Sequence, residues 1–344
     1  MTLKQAFEDQ AGHCVALGSP FMEQLMNVLA RDWPHDSALG RKFASVTGDV
    51  GPMGASLPLR IAGGLHALVL NRKSPDLAKA YPPNNVSDAE LSEAVLNALS
   101  AHEAFLLEWT DHAPQTNEVR RSAALIAGAR VAAKHFNLPI HLSELGASGG
   151  LNLMWDHFAL EIQGHRYGPN MSSILLSPEW TGQLPPSVQP QIEKRRGVDL
   201  NPLDPTRPDH LMRLMAYLWA DQPKRLSLTR SAASVLDVKV QQGDAIDWLA
   251  KHLPQQPQGC LHLIQHTVAW QYFPKDVQAR GKALIEAAGK RATANRPLAW
   301  LSMENDGENN KGAALTLRLW PGDITLNLGR ADFHGRWIDW QHTD

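Results

Sequence analysis

Cysteine is scarce: Cys14 and Cys260 are the only two in 344 residues. A single chain therefore has neither a disulfide framework nor a cysteine zinc site to build, and no metal is expected. An excess of charge is lacking as well. Thirty-three Lys and Arg stand against 35 Asp and Glu, a formal net charge of -2. Nucleic-acid surfaces need clustered cations at phosphates, so no nucleic-acid partner is expected. Lys194-Arg195-Arg196 is the one conspicuous basic run and reads as a solvated patch. No uncharged apolar stretch approaches the roughly 18 residues of a membrane span. The opening MTLKQAFEDQAGH has no apolar signal-peptide core, which makes the cytoplasm the expected location, without a membrane partner. Oligomeric state stays open. What is there, 43% hydrophobic and 20% charged residues, is the balance of a globular chain rather than a disordered one.

The first third reads as helical. Ser19-Pro20 offers an N-cap and a first-turn proline, followed by Phe21, Met22, Leu25, Met26 and Leu29 on one face. Pro58 opens a helix through Leu70, and Ser87 with Glu90 forms a capping box ahead of Leu91, Val95 and Leu99. Residues 1–112 are expected to form a helical cap. From about Asn117 strands alternate with helices, the grammar of a parallel sheet covered on both faces, so 113–344 is expected as an α/β domain. An Ala-rich helix stops at Asn137-Leu138-Pro139. Strands are expected at Ile140–Leu145, Arg196–Leu200, Val238–Gln241, Leu261–Gln265 and Leu298–Met303. Helices are expected at Leu151–His157, Asp209–Leu236 and Lys275–Gly289. The end reads as an antiparallel hairpin: Leu315, Leu317 and Leu319 alternate, Pro321-Gly322 turns, and Ile324, Leu326 and Leu328 alternate again. The Glu304–Leu315 link is short for a crossover helix, which leaves the edge order of the sheet open.

The sharpest local signal follows the first of these strands: Glu144-Leu-Gly146-Ala-Ser148-Gly149-Gly150-Leu-Asn152. An acidic strand end, a glycine turn and a helix start let backbone approach a ligand closely. A dinucleotide turn would read Gly-x-Gly-x-x-Gly, and Ser148 stands where its second glycine belongs. This disfavours a nicotinamide oxidoreductase.

The Glu144 segment resembles the first motif of class I S-adenosylmethionine-dependent methyltransferases. The resemblance implies a Rossmann-like, mostly parallel sheet with Glu144 and Gly146 at the methionine end of the cofactor. Gly149 or Gly150 would close the turn, and Ser148, Asn152 and Gln265 belong to the same cofactor set. Asp199, in RRGVDLNP, resembles the second-strand acid that accepts the ribose hydroxyls, with Glu161 as its rival. Asp244, in QQGDA, resembles the third-strand acid facing the adenine amino group. For both aspartates a turn-capping role is the plainer alternative. QTNEVRR, ELGASGGLNLMWDHF, RRGVDLNPLD, WADQPKR, HTVAWQY and HGRWIDW also resemble, together and in order, an uncharacterised bacterial family placed among these methyltransferases. The resemblance brings S-adenosylmethionine as cofactor, S-adenosylhomocysteine as product and a small-molecule acceptor that stays unidentified. The Asn/Asp-Pro-Pro-aromatic signature of amino methylation is absent.

The candidate reaction centre follows the Leu261–Gln265 strand. Histidine is the residue type whose ordinary charge change falls near neutrality, so His266 is the candidate general base, a structural histidine at a strand end being the alternative. His262 reads as a core residue. Gln115, Asn117, Glu118 and Arg120 open the helix that leads into the Ile140 strand, at the edge where such sheets bind ligands. Glu304 and Asn305 reach that edge from the Leu298 strand. His266, Glu304, Gln115 and Glu118 form the candidate catalytic set, and Asp306–Lys311 reads as a lid or an ordinary polar loop. A cofactor-binding sensor or scaffold without catalysis is the alternative function.

Overall fold

The computed structural model describes residues 1–52, 54–308 and 311–343. The chain divides into two compact units, Met1–Thr116 with Pro208–Ser227 and Asn117–Arg207 with Leu228–Asp344. No helix among the described residues is long and apolar enough to cross a membrane.

The first unit is helical, and local chemistry explains where its helices start. Ser19 Oγ accepts the Met22 amide at 3.2 Å, and Pro20 occupies the first turn of the Pro20–Asp32 helix. Ser87 and Glu90 form a reciprocal capping box at the start of Asp88–Ala101. The Leu57–Leu70 helix carries the expected Pro58 in its first turn. The single helix expected from Asp209 to Leu236 is instead two, Pro208–Ala216 and Pro223–Ser234. Pro223 has no N–H and pushes its predecessor out of the helical region. Asp221, in the gap, accepts Ser19 Oγ at 2.6 Å and the Phe21 amide at 3.2 Å. That pairing draws the segment into the helical unit.

Among its described residues the second unit holds twelve strands. They are β1 (Ile140–Leu145), β2 (Ala159–Ile162), β3 (His165–Tyr167), β4 (Leu175–Leu176), β5 (Glu179–Thr181), β6 (Ile192–Asp199), β7 (Gln241–Gln242), β8 (Leu261–Thr267), β9 (Leu298–Glu304), β10 (Ala313–Trp320), β11 (Ile324–Ala331) and β12 (Trp337–Trp340). Nine of them form one mixed, mostly parallel sheet in the order β5-β12-β11-β10-β9-β8-β1-β6-β7, and β3-β2-β4 form a small second sheet. The chain runs outward from β1 to β6 and β7, then returns across β1 to β8 and β9. Strand order therefore reverses between β1 and β8, and such a switch leaves a crevice at the carboxyl ends of the strands. A parallel crossover needs about a dozen residues or more. The connection after Glu304 is too short for one, so β10 turns straight back and pairs with β9 antiparallel. This settles the edge order. β11 and β12 continue the antiparallel meander, and β5, from the irregular segment before β6, adds the outer edge.

The Ser122–Phe136 helix lies on the sheet, with nearly every side chain through Ala133 buried. Its backbone comes so close to β9 that a Cβ on Gly128 would stand 2.5 Å from Leu301 Cδ1. Asn137, left-handed at φ 50, ends the helix with its amide on the Ala133 carbonyl. Arg130 is the surprise on this face, 2% exposed. Its Nη1 reaches the Pro186, Ser187 and Val188 carbonyls, its Nη2 reaches Gln189 Oε1 at 2.7 Å, and the guanidinium sits over Tyr167. One planar fork thus ties down the otherwise irregular approach to β6. A lysine offers a point charge and cannot span those acceptors. Arg130→Lys should lower stability by about 2–3 kcal/mol in urea unfolding and raise amide exchange across 184–190. Unchanged exchange there would separate Arg130 from the order of this segment.

Candidate functional site

The glycine turn at the end of β1 is built from three left-handed residues, Gly146 (φ 68), Ser148 (φ 54) and Gly150 (φ 79). Its amides do not point at an empty cradle. Gly146 and Ala147 donate to the Val198 carbonyl, Ser148 to Asp199 Oδ2 at 2.8 Å, and Gly150 to the Ala147 carbonyl. Gly149 and Leu151 both donate to Asn117 Oδ1, at 3.1 and 2.9 Å. Asn152 is held by Ser122 Oγ and reaches the Glu118 carbonyl. Gln265 bridges the Asn152 carbonyl and the Trp155 indole N–H. Gly146 also leaves no room for a side chain, because a Cβ there would lie 2.5 Å from Ala269 Cβ.

Glu144 is 2% exposed, and its Oε2 has no hydrogen-bond partner. Its pKa is pushed up to about 8, chiefly by burial and with the Asp199 charge adding to the rise, against a lowering hydrogen bond from Gln265 and the Arg121 charge. Ser148 Oγ and Arg120 Nη2 are likewise buried without partners. Arg121, 8% exposed, donates Nε to the Phe333 carbonyl and Nη1 to the Thr267 carbonyl. Its Nη2 makes no hydrogen bond among the described residues. The cluster thus holds a carboxyl and two guanidinium nitrogens with spare capacity, at the strand ends beside the switch point.

His266 has a different role from the expected base. An indole N–H can only donate, so Trp300 Nε1, 2.8 Å from His266 Nε2, fixes that nitrogen as the acceptor. The ring proton is then on Nδ1, 2.7 Å from Glu304 Oε1. Both ring nitrogens are engaged, the residue is 1% exposed, and the ring stacks on Trp270. The lone pair that a base would use is taken. Glu304 is no freer: its carboxylate also accepts the amides of Ala269, Trp270 and Gln271. Burial raises the Glu304 pKa, but His266 and these amides overcome it and hold the carboxyl below its usual range. The two residues clamp the loop after β8, in which Val268 is left-handed at φ 51.

Of the other expected residues, Glu118 is 2% exposed and its Oε1 accepts the Arg120 amide and Nε. Asp244 follows Gly243, whose amide donates to the Asp199 carbonyl at 3.0 Å. Asp244 caps the Ala245–His252 helix through the Ile246 and Asp247 amides and meets Arg280 at 3.4 Å, so the capping alternative describes it. Glu161 is exposed on β2 in the small sheet, which leaves Asp199 as the acid at the end of β6. Gln115 belongs to the helical unit. Asn305 donates its amide to Gln271 Oε1. The lid segment falls partly outside the described residues, and its Asp306 pairs with Arg330 at 2.7 Å. Sequence pattern does not single out Arg121, Trp155 or Trp300. The doubled arginine of NEVRR was the only signal for the first, and nothing local marks the tryptophans.

Two tests follow from this geometry. Gly146→Ala should cost about 2–5 kcal/mol, combining left-handed strain of roughly 1–2 with a collision of roughly 1–3. Ala269→Gly in the same chain should recover only the collision part, and full recovery would show that the backbone conformation is not demanding. Glu144 binds its proton more tightly when folded, so its contribution is complete below pH 4.5 and is lost as pH rises to about 8. Glu144→Gln does not titrate. Its stability relative to the parent should improve from pH 5 to pH 8, by at most about 1.4 kcal/mol per unit. Parallel curves would place the Glu144 carboxyl in a wetter setting.

No curated protein and no solved structure matches the chain. One family, described as "Uncharacterized protein conserved in bacteria (DUF2332)", matches residues 4–340, from the first helix to the last strand. The chain therefore belongs to this bacterial family.

Proposed function

We propose that this chain binds S-adenosylmethionine at the end of β1 and transfers its methyl group to a small molecule. The observation that carries the reading is the occupied amides of the glycine turn. A pyrophosphate cradle needs free backbone N–H groups. Here Val198, Asp199, Asn117 and Ala147 take them all, and the turn offers acceptor carboxyls instead. Such a site suits a cationic, ribose-bearing ligand without phosphates. The strand order β7-β6-β1-β8-β9, followed by an antiparallel strand, supports a Rossmann-like methyltransferase sheet.

The residues present fit the cofactor. Glu144 Oε2, buried and unpartnered, would take the methionine ammonium, and Arg121 Nη2 would meet the carboxylate. Asp199 keeps lone pairs for the ribose hydroxyls beside the amides of Ser148 and Asn201. Gln265 and Asn152 hold Glu144 and the turn in place, and Gly146 permits close approach. The cofactor supplies an electrophilic methyl on a positively charged sulfur. Alignment then does most of the work. His266 gives no base in this arrangement, which favours an acceptor that is already nucleophilic. The same feature favours one other reading, a protein that binds the cofactor without turnover.

Calorimetry with S-adenosylhomocysteine and NAD separates these ideas. S-adenosylhomocysteine should bind and NAD should not. Asp199→Ala should weaken binding roughly 10- to 150-fold, the worth of a charged hydrogen bond. Because Glu144 must ionise to meet an ammonium, affinity should rise about tenfold from pH 6 to pH 7, and Glu144→Gln should flatten that slope. Tight NAD binding with no response to S-adenosylhomocysteine would sink the proposal.

A further inference from the structure

The opposite edge of the sheet carries a second cluster of chemistry-bearing residues. His141 lies near the start of β1, Glu193 near the start of β6, and Cys260 just before β8. Far apart in sequence, the three meet because β6, β1 and β8 are adjacent. His141 Nε2 is 3.6 Å from Glu193 Oε2, and Cys260 Sγ is 3.1 Å from that same oxygen. The three ligand-capable atoms all lie within 4.8 Å of one another. A register irregularity helps to bring them together. Ile140 pairs with Ile192 but His141 pairs with Lys194, so Glu193 is an extra residue in β6. Such bulges re-aim a side chain.

We propose that His141, Glu193 and Cys260 form a binding site for one borderline-soft divalent cation, zinc being the best fit, with water in the fourth position. Zinc takes sulfur at about 2.3 Å and nitrogen or oxygen at about 2.0–2.2 Å, which places tetrahedral ligand atoms roughly 3.3–3.7 Å apart. The His141–Glu193 distance is already in that range, and the Cys260–Glu193 pair needs only a small opening. Thiolate, imidazole and carboxylate together select zinc or cobalt over magnesium or calcium. The protein side is suited to the ion. Burial lowers the His141 pKa, favouring the neutral imidazole that a metal requires. Burial and the adjacent Glu193 raise the Cys260 thiol to about 11, a strain that a dication would relieve by drawing off the proton. Lys194 and Arg196 add positive charge nearby, which two anionic ligands offset. Glu193 is 56% exposed and Cys260 is buried, so one side stays open for the entering ion and its water.

Cobalt(II) titration of the chelator-treated full chain tests the site. One equivalent should bind with a thiolate-to-cobalt charge-transfer band in the near ultraviolet, and it should raise the melting temperature. Cys260→Ser should abolish the band, while Cys14→Ser should keep it. Outer partners of metal sites alone are worth roughly 10- to 100-fold, so His141→Ala and Glu193→Gln should each weaken binding by at least that much. Glu193 is exposed, so its variant keeps the test meaningful should a core variant fail to fold. No charge-transfer band, a band that survives Cys260→Ser, or unchanged affinity in Glu193→Gln would each overturn the proposal.

Discussion

A chain leaving a buried parallel strand and turning sharply must satisfy its amides before anything else. At the end of β1 this falls on residues 146–151, where three left-handed positions bend the backbone. Each buried amide left without a partner would cost about 1–3 kcal/mol. Asp199 and Asn117 meet that demand from two other segments, and the Val198 carbonyl, next to Asp199 on β6, accepts two further amides. The β6 register and the placement of the 117–121 segment therefore follow from one local problem. Gly197 belongs to the same solution. A Cβ there would lie 2.7 Å from Ala147 Cβ, so β6 can pass under the turn only as glycine.

The loop after β8 is organised on the same principle by a different acid. Glu304 gathers the amides of Ala269, Trp270 and Gln271 together with His266 Nδ1. The two loops touch where Gly146 faces Ala269. Acids at strand ends are thus structural in the first place, each an acceptor for several amides at once. What separates Glu144 from them is an oxygen with nothing to accept. Spare hydrogen-bonding capacity thus lies with Glu144 and Arg121, whereas both ring nitrogens of His266 are filled. The small C-terminal turn also acts on this region: Asp332 holds Arg336 and the amide of His334, and a Cβ on Gly335 would collide with the Arg120 carbonyl.

Local periodicity and capping chemistry determined much of the fold from sequence alone. The Ser19 cap, the Ser87–Glu90 box, the β1 limits, the Lys275–Gly289 helix and the antiparallel end all rest on neighbours within a few residues. The Glu144–Asn152 turn and Asp199 beside it were legible for the same reason, because glycine placement and strand-end acids are local signals. Tertiary structure alone decided the rest. The break at Tyr217–Gln222 needs Asp221 to find Ser19, and the burial of Arg130 needs the carbonyls of 186–188. His266 reads as a base in sequence, and only the distant Trp300 and Glu304 occupy both its nitrogens. His141, Glu193 and Cys260 meet only through strand order and a bulge. A side chain's chemistry depends on which groups fill its hydrogen-bonding capacity. In a parallel sheet those groups come from strands far apart in the chain, where no local pattern can announce them.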